Sequence, residues 1–326
     1  MIISRTPLRM SFVGGGSDLP AFYCKHQGAV VSTAIDKYVY VNVNKKFDNG
    51  VRVGYSKNEE VQSVSEVEHQ LVRAAMTMLK IDGGIEITTI ADIPSKGSGL
   101  GSSSSFTVGL LHALNAYQNK YVSAEKLASD ACRVEIEMCG EPIGKQDQWA
   151  AALGGFNLIQ FNPDGSVISE PIICSNETLS KLQENLIMFY TGITRSASFL
   201  LQEQNEILER DQDKQKTLIK MVKLAYDMRD ELHANNVEAI GDVLHENWML
   251  KKSISSSITN SDIDVAYDLA IKAGATGGKI LGAGAGGFLL FYAPLENHDR
   301  IKMALPHLRH INFSFEKLGS RIIFYN

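Results

Sequence analysis

The sequence predicts a mixed α+β protein in two parts, and three observations predict it. The first 60 residues read as strands, with Val, Tyr and Thr in alternation. The second half is dominated by helical apolar spacing and dense charge between about 198 and 273. Strand-like runs then return near 288 and at 312–326. A length of 326 residues suits about two domains, and 44% apolar residues supply two cores.

The elements follow in order. "YVYVNVN" sets Val39, Val41 and Val43 on one strand face. "VEHQLVRAAMTMLK" spaces Val67, Leu71, Ala74, Ala75, Met78 and Leu79 as a helix does. "GIEITTIADIP" is a strand ending at Pro94, and "SFTVGLLHALNAYQNK" a helix carrying Leu110, Leu111 and Leu114. Ser123 caps a helix through Cys139 that Gly140 ends. "GGFNLIQFNPDG" is a strand and turn, and "NLIMFYTG" a buried strand. Helices near 198–210, 215–234, 236–254 and 262–273 precede a strand in "GGFLLFYA" and a last one in "NFSFEKLGSRIIFYN". The expected division is 1–175 and 176–326, although no linker marks it.

Composition narrows the function. A net charge of −5 argues against a sequence-independent grip on nucleic acid. Four scattered cysteines without CxxC fit reduced thiols rather than a disulfide framework. Arg5 and Arg9 interrupt the first apolar stretch, so it does not read as a signal peptide, and no run reaches the ~18 apolar residues of a membrane span. A cytoplasmic protein with a small-molecule substrate is expected.

Three glycine-rich stretches remain: "VGGGSD" (13–18), "PSKGSGLGSSSS" (94–105) and "GAGAGG" (282–287). The last contains G-x-G-x-x-G but precedes a strand, which the dinucleotide fingerprint does not. "GGKI" has Ile280 where a Walker A loop needs Ser or Thr. "PSKGSGLGSSSS" lies between a strand and an apolar helix whose first turn is serine. Helix N-terminal N–H groups, hydroxyls and glycines are the parts of a phosphate cradle.

Phosphoryl transfer also needs carboxylates. Glu135 has Ala131, Cys132, Met138 and Cys139 three and four residues away, an apolar face, whereas Glu137 has Arg133 and Glu141. A carboxylate on a buried face needs a partner or a metal, which favours Glu135. Asp147 lies in the glycine-flanked "GEPIGKQDQWAAALGG", and Arg9 is a cation inside the apolar "LRMSFV". A paired Arg–Asp resolves both oddities, but sequence alone does not bring them together. "HLRH" (His307, His310) lacks a third metal ligand, and Cys132 and Cys139 read as core residues.

These motifs coincide with those of a known family. "RTPLRMSFVGGGSDLP", "PSKGSGLGSSSS" and "GGKILGAGAGGFLLFY" resemble the three motifs of the GHMP kinases, in order and across nearly the whole chain. "RVEIEMCGEPIGKQDQWAAALGGFN" and "GGGSDLPAFY" look most like the bacterial D-glycero-D-manno-heptose phosphate kinases. The resemblance implies an N-terminal ribosomal protein S5 domain 2-like α/β domain and a C-terminal ferredoxin-like α+β domain.

It also implies roles. The loop Gly97, Ser98, Gly99, Leu100, Gly101, Ser102, Ser103 and Ser104 wraps the ATP phosphates, and Ser103 and Glu135 hold Mg²⁺. Asp147 is the catalytic aspartate and Arg9 the cation beside it, while Ser105 packs the helix. Asp18 matches the galactokinase aspartate that binds sugar hydroxyls, with Gly16, Ser17, Gly284 and Gly286 completing the substrate surface. Galactokinases carry Glu-His where this chain has Gly15 and Gly16, which leaves room for a larger sugar. A phosphorylated sugar needs further cations, for which Lys145, Arg195 and Lys251 are the candidates. The implied reaction moves the γ-phosphoryl of ATP to the anomeric hydroxyl of a heptose 7-phosphate. The alternatives are a galactose- or fucose-type kinase and a non-catalytic ligand sensor of the same fold.

Overall fold

The computed structural model describes residues 1–93, 97–193 and 197–326. In chain order the first half holds β1 (Ile2–Val13), α1 (Pro20–Tyr23), β2 (Gly28–Lys45), β3 (Val51–Gly54), β4 (Asn58–Val61), α2 (Gln70–Leu79), β5 (Ile85–Ala91), α3 (Ser102–Tyr117), α4 (Ala124–Cys132), α5 (Gln146–Leu153), β6 (Phe156–Phe161) and β7 (Val167–Pro171). The second half holds α6 (Asn176–Glu184), β8 (Leu186–Tyr190), α7 (Ala197–Arg210), α8 (Gln212–His233), α9 (Ile240–Ile254), α10 (Ser261–Lys272), β9 (Gly277–Ile280), β10 (Phe288–Tyr292), α11 (His298–Ala304), β11 (Arg309–Ile311), β12 (Phe315–Glu316) and β13 (Arg321–Tyr325).

The long β2 is the spine of a nine-stranded sheet. It pairs antiparallel with β1 along most of its length, with β6 through residues 28–33 and with β5 through residues 39–45. Val39, Val41 and Val43 are buried as their alternation requires. The helix α3 packs on β2, and its Leu110, Leu111 and Leu114 are fully buried. The second sheet has the order β11-β8-β10-β9, every pairing antiparallel. Its elements run β-α-β-β-α-β, with β10 inserted between β8 and β9, the split arrangement of a ferredoxin-like domain.

Two expectations need correction. The division at 175/176 separates the sheets except at residues 315–325, where β12 pairs with β2 and β13 with β1. Ile322 and Phe324 thereby complete the first sheet rather than the second, a long-range pairing that no local pattern encodes. The helix through Cys139 is also not uniform. It is α-helical to Cys132 and then π-helical over Arg133–Met138 until Gly140 turns the chain at φ +71°. Among the described residues no helix is long and apolar enough to cross a membrane.

Candidate active site

A cleft of 220 Å³ opens where the loop before α3, the turn after β1, the start of α5 and the β9 region converge. Arg9 projects from β1 into it and is 3% exposed. Its Nε and Nη2 donate to Oδ1 and Oδ2 of Asp147, both at 2.7 Å, and its Nη1 donates to the Gly99 carbonyl at 2.7 Å. The fork of a guanidinium matches a carboxylate in this bidentate way. Asp147 sits in the first turn of α5, and its side chain stays 25% exposed, open to a reactant.

The N-terminus of α3 faces the same cleft. Gly101 caps it at φ +74°, and Ser102, Ser103 and Ser104 form its first turn. The first backbone N–H groups of a helix lack intrahelical partners and carry partial positive charge. The loop before the helix is held by a backbone-to-backbone contact that side chains would block. A Cβ on Gly99 would lie 2.2 Å from the Leu281 carbonyl oxygen. Two of the glycine-rich stretches are therefore mutually packed walls of one site.

Behind this turn lies Glu135, 1% exposed, on the π-helical segment. Ser103, Ser104, Thr107 and Gln148 donate to its carboxylate at 3.2, 2.8, 3.1 and 2.5 Å. All four donors are neutral. Burial therefore dominates and pushes the Glu135 carboxyl up to about 7, against the hydrogen bonds and with help from the charge of Asp147.

At the other end stands Asp18. It accepts from the Gly16 N–H at 3.0 Å, the Gln146 N–H at 3.2 Å and Gln146 Nε2 at 3.0 Å. Burial, then the charge of Asp147, raises its pKa. Two buried lysines complete this end. Lys251 of α9 donates to the Gly15 carbonyl and to Gln204 Oε1, both at 3.0 Å. Lys279 of β9 donates to the Ser11 carbonyl at 2.7 Å.

Comparison with known proteins identifies the family. The family model for the GHMP kinases N terminal domain matches residues 67–155, and that for the GHMP kinases C terminal matches residues 228–307. The D-glycero-alpha-D-manno-heptose 7-phosphate kinase of Campylobacter jejuni is 30% identical over 98% of this chain and 97% of its own. The chain belongs to the GHMP kinase family. A crystal structure of a D-glycero-D-manno-heptose 1-phosphate kinase from Bacteriodes thetaiotaomicron superposes with a TM-score of 0.83, covering 100% of both chains at 24% identity. A putative sugar kinase from Campylobacter jejuni gives 0.77 at 26% identity, covering 98% of this chain and 97% of that one. As a GHMP kinase the protein is a phosphotransferase that acts on a hydroxyl acceptor.

Around this cleft the sequence-derived candidates fall into three groups. Arg9, Gly16, Asp18, Gly97, Ser98, Gly99, Gly101, Ser102, Ser103, Ser104, Glu135, Asp147 and Lys251 all line the cleft. Leu100, Ser17, Lys145, Gly284 and Gly286 do not. Leu100 is fully buried and its carbonyl accepts from Arg9 N at 3.0 Å. The Ser17 hydroxyl bonds Ala29 across the turn. The Lys145 ammonium donates to the Gly165 carbonyl at 2.8 Å and lies over the Tyr23 ring. Gly284 and Gly286 pack against Ile258 and Ile193. Ser105 donates to the Pro7 carbonyl, a packing contact. Arg195 lies outside the described residues.

Sequence reasoning missed Lys279, Gln146, Gln148 and Thr107. Lys279 was visible only as the lysine of a failed Walker pattern, and its carbonyl partner is 268 residues away. No three His, Cys, Asp or Glu side chains converge on a metal position among the described residues. A nucleotide-bound Mg²⁺ does not need three, because it takes one or two protein oxygens together with phosphates and water. A buried carboxylate fed only by neutral donors, beside a serine hydroxyl, fits such an ion.

Proposed function

We propose that this GHMP kinase transfers the γ-phosphoryl group of ATP to the anomeric hydroxyl of D-glycero-D-manno-heptose 7-phosphate, giving the 1,7-bisphosphate and ADP in the cytoplasm. The single observation that carries the reading is the bidentate Arg9–Asp147 pair, set in one cleft with the N-terminus of α3. The full-length likeness to a kinase named for this sugar supports the substrate.

In this reading the loop Gly97–Ser104 and the first turn of α3 receive the ATP phosphates. Ser103 and Glu135 hold Mg²⁺, which when bound neutralises phosphate charge. Asp18 orients the sugar through its hydroxyls. Asp147 Oδ2 accepts the proton of the attacking anomeric hydroxyl, and Arg9 keeps that carboxylate aimed and balances the charge that develops. Phosphoryl transfer asks more of positioning and charge than of proton abstraction, which suits an aspartate already paired to arginine.

The test is a substrate panel of heptose 7-phosphate, heptose, galactose, fucose and mevalonate, scored by ADP release and phosphorus NMR. The expected result is fastest turnover of heptose 7-phosphate with the new phosphate on the anomeric oxygen. A preference for an unphosphorylated sugar, or no ADP release with any acceptor, overturns it.

A further inference from the structure

Lys251 and Lys279 are 8% and 6% exposed, and neither makes an ion pair among the described residues. They come from α9 and β9, which pack together, and both line the cleft. A buried charge is costly unless it is paired. Among the described residues the charges that face them are already committed. Arg9 is spent on Asp147, and Asp18 on Gly16 and Gln146. An ammonium has three donors. Lys279 spends one on Ser11, and Lys251 spends two on Gly15 and Gln204. Among the described residues three donors are left over, the number of terminal oxygens on a phosphate monoester.

We propose that Lys251 and Lys279 together seat the phosphate that the sugar already carries, so that this pair selects a phosphorylated over an unphosphorylated acceptor. The inference rests on the sugar-phosphate reading above and adds the element that enforces it. Both ammoniums are anchored on residues 11–15, beside Asp18, at the acceptor end. In that reading the ATP phosphates meet the backbone N–H groups at the start of α3, at Ser102–Ser104.

The protonation of the pair agrees. Burial brings Lys279 down to about 7, with Lys251 and Arg9 adding repulsion, and brings Lys251 to about 8 although Asp18 opposes the shift. A dianion arriving between them raises both, so binding takes up protons near neutral pH.

The experiment is titration calorimetry of the full chain with heptose 7-phosphate and with heptose, in two buffers of different ionisation enthalpy. The proteins are wild type, Lys251→Met, Lys279→Met and Lys279→Arg. Wild type should prefer the 7-phosphate and take up protons with it. Each methionine variant should lose roughly 10–100-fold in affinity for the 7-phosphate, as for a charge-assisted hydrogen bond, and move about threefold or less for heptose. Proton uptake should shrink in Lys279→Met, and Lys279→Arg should recover part of the affinity. ATP binding should not change. A wild type that binds both sugars equally overturns the substrate reading and the seat with it. A preference that survives both methionine changes, or a loss that falls on ATP or on both sugars alike, overturns the seat alone. Melting curves confirm folding, and Lys279→Arg carries the test if Lys279→Met does not fold.

Discussion

The two ends of the cleft treat their charges differently. At the α3 end, Arg9 and Asp147 satisfy one another, and Glu135 collects four neutral donors. At the Lys251 end, two ammoniums are buried on backbone carbonyls and an amide, with no carboxylate in ion-pair contact among the described residues. The first arrangement is preorganised: its geometry is fixed before any ligand arrives. The second is under-compensated, and an anion completes it. On the proposed reading, catalytic geometry and acceptor selection rest on separate groups, so each should change without the other.

The largest expected effect breaks the preorganised end. Asp147→Asn removes the proton acceptor and one charge of the bidentate pair. Turnover should fall by roughly 10²–10⁴ with ATP affinity retained. Near-normal turnover in a steady-state assay rejects the assignment. Next is Glu135→Gln, which should weaken the apparent Mg²⁺ requirement site roughly 10–100-fold, read from a metal titration of the rate. An unchanged titration rules out Glu135 as a ligand.

A smaller change probes the other end. Gly16 sits at φ +104°, and a Cβ there would lie 2.3 Å from Gln204 Nε2 and 3.0 Å from Lys251 Nζ. Gly16→Ala should cost about 1–3 kcal/mol of stability from the strained backbone and raise KM for the sugar phosphate more than KM for ATP. Chemical denaturation and a KM comparison check it, and equal changes in both KM values contradict it.

A last comparison concerns pH. Glu135 titrates near 7 when folded and near its ordinary 4.5 when unfolded, so the native state holds the proton more tightly. Stability without ligand should therefore fall as pH rises from about 4.5 to 7. Lys279 has the opposite sign: about 7 folded against 10.5 unfolded, so its contribution rises with pH across that window. Melting temperatures of Glu135→Gln and Lys279→Met relative to wild type should separate the two. The advantage of the first should grow from pH 5 to 7, and that of the second should shrink from pH 7 to 10. Flat differences in both contradict the assigned titrations.

Much of this was legible in the residues. Arg9 and Glu135 stood out as charges in apolar settings, and the serine turn after Gly101 announced a helix N-terminus. The pairing of Arg9 with Asp147 was not visible, because 138 residues separate them and only the sheet brings them together. Lys279 stayed hidden for a related reason. In a strand of "GGKI" nothing local distinguishes a lysine turned inward from one in solvent. Lys145 shows the converse: a loop lysine beside Asp147 in sequence turns to Tyr23 and Gly165 instead. The return of residues 315–325 to the first sheet is equally non-local, and their alternation suits either sheet.

That return has a consequence for how the protein is made. The strand that carries Arg9 has β2 on one side from early in synthesis, but its other neighbour is residues 321–325. Until those residues leave the ribosome, Ile2–Arg5 present a bare edge of unpaired amides to the crowded cell. The segment left unpaired during translation is thus the one that leads directly into Arg9 of the cleft.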